Sequence, residues 1–216
     1  MHYRHTHDMG SPRNKTKTTL PIEVLSEDEA RRLMDACGAR SPTGLRNRAL
    51  LALLYRAGLR VSEALALRPK DIDLERGIIR VLRGKNGHAR TVGIDPAACD
   101  VVARWVEART RMGRGPSAGA GVDWSGAPLL CTLSGGPVSA SYVRVLIPRL
   151  GTKAGIAKRV HAHGLRHTMA AELRAEGVDI AVISRQLGHR SITTTARYLD
   201  HIMPTAVINA MRGRGW

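Results

Sequence analysis

The stretch GIIRVLRGKNGHARTVGI, residues 77–94, limits the fold more than any other part of the chain. It places Ile78, Ile79, Val81 and Leu82 before an Asn86-Gly87 pair, and Thr91, Val92 and Ile94 after it. Branched apolar residues flanking a dipeptide that tolerates the positive φ of a tight turn predict a β-hairpin, with Lys85 at its tip or shoulder. Elsewhere the apolar residues recur at helical spacing. The expectation is a mostly α protein with one small antiparallel β-sheet (α+β). With three Trp, four Tyr and no Phe, the core must come from Leu, Ile, Val, Ala and Met.

The helices carry their own punctuation. Ser26 followed by Glu29 is a capping box, with Leu25 just ahead and Leu33, Met34 and Cys37 set to face inward until Gly38. LRNRALLALLYRAG fits a second helix ending near Gly58, and a short one resumes at Val61, which leaves Arg60 at the junction. Asp95-Pro96 begins a helix carrying Val101, Val102, Trp105 and Val106, followed by the Gly- and Pro-rich loop RMGRGPSAGAGVDWSGAP. Ser139 to Leu150 forms the next, closed by Gly151. DIAVISRQLG runs from Asp179 to Gly188 with His189 directly after, and SITTTARYLDHIM forms a last helix holding Tyr198. No repeat of 20 to 50 residues is visible, which argues against a solenoid.

Charge indicates the kind of partner. The chain has 34 Lys plus Arg against 18 Asp plus Glu, a net +16, spread along most of its length. A polyanion is the natural counterpart, because docking on it releases condensed counterions. Cys37, Cys99 and Cys131 form no CxxC pair and fit reduced thiols of a cytoplasmic protein. No apolar run approaches the roughly 18 residues of a membrane span, and no signal pattern opens the chain. Residues 1–20 are polar, basic and aperiodic: either an extraneous stretch ahead of a later true start, or a flexible arm lying on a phosphate backbone. We expect one ordered domain over 21–205 and a basic tail over 206–216.

Within HAHGLRHT, residues 161–168, His163 and His167 stand four apart, as two zinc ligands on one helix face would. Arg166 lies between them, and a fixed positive charge there opposes a bound dication. The polar residues beside helix ends and turns are Arg60, Lys85, His163, Arg166, His189 and Tyr198. Such a set, with no carboxylate cluster, suits a phosphate better than a cation, since Arg forks match phosphate oxygens two at a time. No metal and no cofactor is expected.

AGLRVSEAL, RGKNGHAR, HGLRHT, LGHRSI and TTTARY, in this order, resemble the catalytic motifs of the tyrosine recombinase (phage integrase) family. The likeness runs from about residue 22 to about residue 205 and takes in PLL…GGPVSASYV and KAGI. It implies the integrase catalytic-domain fold and double-stranded DNA as partner, with no membrane and no small-molecule substrate. It also implies that Arg60 and Arg166 clamp the scissile phosphate, Lys85 protonates the leaving oxygen, His163 is the general base for the attacking tyrosine, and His189 hydrogen-bonds a phosphate oxygen. Tyr198 is then the nucleophile of a 3′-phosphotyrosyl intermediate. Glu63 supports the helix junction or orients Arg60; His167 packs or hydrogen-bonds behind Arg166; His161, Arg190 and Arg197 are solvated or touch backbone.

Relatives of this kind usually carry an N-terminal core-binding domain, whereas here the catalytic part is expected to start almost at once. The expectation is an isolated catalytic domain or a minimal member, with a homo-oligomer, dimer or tetramer on DNA, left open. The alternatives are a type IB topoisomerase-like activity, a non-cleaving DNA-binding accessory protein, and a phosphatase or nuclease using His and Arg.

Overall fold

The computed structural model describes residues 23–82, 89–114, 124, 126–189, 191, 193, 195–196 and 211–212. Lys85, the Asn86-Gly87 turn, Tyr198, the 1–20 segment and most of the 206–216 tail lie outside the described residues, as does most of the 111–128 loop.

Seven helices are described: α1 (Glu27–Asp35), α2 (Pro42–Tyr55), α3 (Val61–Ala66), α4 (Pro96–Arg114), α5 (Ala140–Lys153), α6 (Ala162–Ala175) and α7 (Ile180–Leu187). The Ser26 capping box is present, with Ser26 Oγ accepting from Glu29 N–H and Glu29 Oε2 accepting from Ser26 N–H at 2.7 Å. α2 begins earlier than its Leu periodicity predicts, because Ser41 caps it and Pro42, whose missing N–H costs nothing in the first turn, starts it. Leu50 to Leu54 are all buried, so α2 is covered on every side, packed against α4 and α6. Trp105 of α4 is fully buried and its indole N–H donates to Leu129 O at 2.7 Å.

The sheet is a three-stranded antiparallel meander, β1 (Ile72–Asp73), β2 (Ile78–Val81) and β3 (Arg90–Gly93) in that order, with Ile78 opposite Gly93 and Val81 opposite Arg90. β2 and β3 are the predicted hairpin strands; the two-residue β1 is too short to leave a period in the sequence. The outer edge of β3 is closed by Gln186 of α7, whose amide accepts from Gly93 N–H at 3.0 Å and donates to Gly93 O at 2.8 Å.

α5 runs past Pro148 and past Gly151, the expected stop, to Lys153. Gly151 serves a close approach instead, since a Cβ there would lie 2.7 Å from Val160 Cγ2. Among the described residues no helix is long and apolar enough to cross a membrane.

Candidate phosphate site

The centre of the site is Arg166, 2 % exposed on the inner face of α6. Its Nη1 donates to Gly58 O and its Nη2 to Leu187 O. Each acceptor precedes another candidate by two residues: Arg60 follows Gly58, and His189 follows Leu187. Both turns are short because Gly58 (φ 63°) and Gly188 (φ 63°) take left-handed backbone that a side chain would strain. One buried guanidinium therefore gathers three chain segments, and His189 Nε2 lies 3.4 Å from Arg166 Nη2.

Arg60 is the N-cap residue of α3. Its Nη1 donates to Glu63 Oε1 at 2.7 Å and its Nη2 to Gly188 O at 3.4 Å. Glu63 is 2 % exposed, and its carboxylate also accepts from Arg60 N–H at 2.9 Å and from Arg90 Nη1 and Nη2 at 2.7 and 2.9 Å. Burial pushes this carboxyl up, but the hydrogen bonds and charges of Arg90 and Arg60 prevail and hold it down, at about 2.

The histidines are shifted toward the neutral form, first by burial and then by the neighbouring positive charges. His163 is open to solvent at the start of α6, yet partial dehydration and the charges of Arg166 and Arg60 hold its pKa below the ordinary imidazole value. His189 is lowered to about 4 by burial, then by Arg166 and Arg60, and its Nδ1 lies 2.8 Å from the fully buried Thr195 Oγ1. His167, 3 % exposed, meets His163 edge to face at 4.2 Å and is lowered to about 3, mainly by burial. His161 touches backbone: as N-cap of α6 its Nδ1 accepts from Gly164 N–H at 3.1 Å.

Of the six candidates, Arg60, His163, Arg166 and His189 come together; Lys85 and Tyr198 lie outside the described residues. Among the described residues no three His, Cys, Asp or Glu side chains converge as a metal would need. Beside Glu63 opens a cleft of about 440 Å³ bordered by the exposed Arg68, Lys70 and Arg80. Sequence reasoning missed Arg90 and Thr195. Arg90 meets its carboxylate 27 residues away across two elements, which no periodicity records; Thr195 lies within the TTTARY motif, where a hydroxyl six residues after His189 was the available signal.

Residues 23–203 match the profile of the Phage integrase family. The tyrosine recombinase XerD of Bifidobacterium longum is 36% identical over 200 residues, covering 90% of this chain and 62% of that protein. This chain thus spans about three-fifths of that relative's length. A crystal structure of XerA recombinase superposes with a TM-score of 0.73 at 27% identity, over 94% of this chain and 67% of that one. XerH site-specific recombinase bound to palindromic difH substrate, a post-cleavage complex, gives 0.68 at 25% identity, over 88% and 52%. On the family match and the shared fold, this chain belongs to the phage integrase family.

Proposed function

We propose that this chain is the catalytic domain of a site-specific DNA recombinase that cuts and rejoins double-stranded DNA through Tyr198. The observation that carries this reading is the convergence of two guanidiniums and two imidazoles on one spot, the nearby carboxylate being saturated by arginines. Such a site attracts an anion with hydrogen-bonding oxygens, and the +16 net charge favours a polyanionic one.

In the proposed reaction the Tyr198 phenol oxygen forms a bond to the scissile phosphorus while the bond to the 5′ oxygen breaks. A phenol with an ordinary pKa near 10 needs its proton removed as it attacks. His163, whose pKa is held below the ordinary imidazole value by burial and the nearby positive charges, is the acceptor. Charge grows on the non-bridging oxygens of the five-coordinate transition state. Arg60 and Arg166 take it up, each such donor supplying roughly 3 to 4 kcal/mol. Lys85 delivers the proton to the leaving 5′ oxygen, and His189 hydrogen-bonds a phosphate oxygen. The phosphotyrosyl ester keeps the energy of the broken bond, so a second 5′-hydroxyl reverses the step with neither ATP nor metal. Exchange between two sites needs at least two copies of the chain on DNA.

The test uses a pool of nicked duplexes of randomised sequence, in which the short fragment bearing the freed 5′-hydroxyl diffuses away and leaves the adduct trapped. The full chain is expected to form a covalent protein-DNA species that Tyr198→Phe does not form. Identical behaviour of the two proteins on a duplex the wild type selects would sink the reading. Free cleaved ends would point to a nuclease or phosphatase, and plasmid relaxation without recombinants to a topoisomerase.

A further inference from the structure

We propose that Arg90 is a positioning residue for Arg60: it takes up the charge of Glu63, so that Arg60 keeps its own charge for the substrate phosphate. This rests on the reading of Arg60 as a phosphate clamp.

The stoichiometry is the starting point. Glu63 has about four lone-pair sites, and four hydrogen bonds fill them: Arg60 N–H, Arg60 Nη1, and both terminal nitrogens of Arg90. Two guanidiniums on one carboxylate leave a net charge of +1. Which guanidinium carries it is set by geometry. Arg90 gives Glu63 a two-pronged bond, one to each oxygen, whereas the Arg60 side chain gives one. The Arg60 side chain is 28 % exposed and that of Arg90 14 %. The fork therefore holds the carboxylate from the more buried side, and the singly bonded arginine is the more exposed of the two.

Arg90 cannot readily trade places with Arg60. It lies in β3, and its Nε donates to Gln186 O of α7 at 3.4 Å, which fixes the plane of the fork. Its side chain fills the space left bare by Gly188, where a Cβ would lie 2.8 Å from Arg90 Nε. Arg60 reaches the same glycine through Gly188 O. Without Arg90, Glu63 pairs with Arg60 alone, one to one. Arg60 is then electrically cancelled and drawn toward the interior, although every atom of Arg60 is still present.

A strut holding β3 to α3 would also explain the contacts, so the experiment must separate the two roles. The probe is the nicked duplex selected by the wild-type full chain, made with an ordinary scissile phosphodiester and with a methylphosphonate there. The methylphosphonate replaces one charged oxygen by a methyl group, so less charge remains for Arg60 to stabilise.

Arg60→Ala is expected to slow cleavage of the phosphodiester on the order of 10²- to 10³-fold. Arg90→Gln is expected to slow it roughly ten- to a hundredfold, a part of what one such donor supplies. Both losses should shrink to within about threefold on the methylphosphonate, where that donor's contribution is largely absent. Arg90→Lys keeps the charge but not the fork and should fall between wild type and Arg90→Gln. The double variant Glu63→Gln/Arg90→Gln leaves no carboxylate to cancel Arg60 and should cleave the phosphodiester faster than Arg90→Gln alone.

Equal losses on both substrates, with the two substitutions additive, would overturn the proposal in favour of a strut. If Arg90→Gln does not fold, the same two-substrate comparison on Arg90→Lys and on the double variant, which buries no unpaired charge, decides the matter. Failure of the wild type to form any Tyr198-linked adduct would remove the phosphate-clamp reading itself. A normal adduct with unimpaired Arg90→Gln removes only the role of Arg90.

Discussion

Replacing Glu63 by Gln changes one oxygen to an amide nitrogen at the most charged point of the interior. The carboxyl is lowered from 4.5 to about 2 even though its burial works in the other direction. At about 1.4 kcal/mol per pKa unit, the arginine contacts favour the ionised form by about 3 kcal/mol of folding stability. Because the folded pKa lies below the unfolded one, this stability is fully present above pH 4.5 and is lost as the pH falls toward 2.

Urea unfolding of wild type and Glu63→Gln at pH 7, 5 and 3.5 tests the point. At pH 7 the variant should be weaker by roughly 3 to 5 kcal/mol, the range for breaking a buried pair and stranding the partner charge. Between pH 5 and 3.5 the gap should narrow. A gap under about 1 kcal/mol at pH 7, the size of a surface ion pair, would refute the reasoning. So would a gap that is the same at every pH.

Three further outcomes follow from the same contacts. His161→Ala should cost about 1 kcal/mol through loss of the α6 cap, and His161→Ser should restore it. Since burial and Arg159 hold the His161 pKa below 6.5, wild type should also lose stability as the pH drops below 6.5 by an increment that His161→Ser lacks, measurable by thermal unfolding across pH 7.5 to 5. Gly188→Ala should cost about 1 to 3 kcal/mol in chemical denaturation, because the residue is left-handed and its new methyl would press on Arg90. Trp105→Ala should cost about 3 to 5 kcal/mol in the same assay, from the cavity left by a fully buried indole whose N–H is bonded to Leu129 O.

Local features were legible in the sequence wherever their physics is local. Ser26, Ser139 and Asp179 cap helices because a side-chain oxygen reaches an N–H two or three residues on. Gly188 ends α7 because its left-handed φ is cheapest for glycine. The two longer strands followed from branched residues around a turn pair. Gly151 misled for the converse reason: a glycine needed to admit Val160 looks the same in sequence as one that ends a helix. Arg60, His163, Arg166 and His189 could be picked out as polar residues near helix ends. Their order around Arg166 could not, since its acceptors lie 108 and 21 residues away. The Arg90 fork was illegible because a salt bridge between strand and helix leaves no period.

The carbonyl anchors of Arg166 also set a timetable. During synthesis from the N-terminus, Gly58 leaves the ribosome long before Arg166, and Leu187 comes 21 residues after Arg166. A nascent chain that has exposed α6 but not yet α7 has a guanidinium with one of these two acceptors missing, and the turn that presents His189 is not yet fixed. Contacts so distant in sequence close late, after the local helices have formed. The ribosome therefore holds an unassembled centre until α7 emerges, so a partial chain cannot present the finished site to DNA.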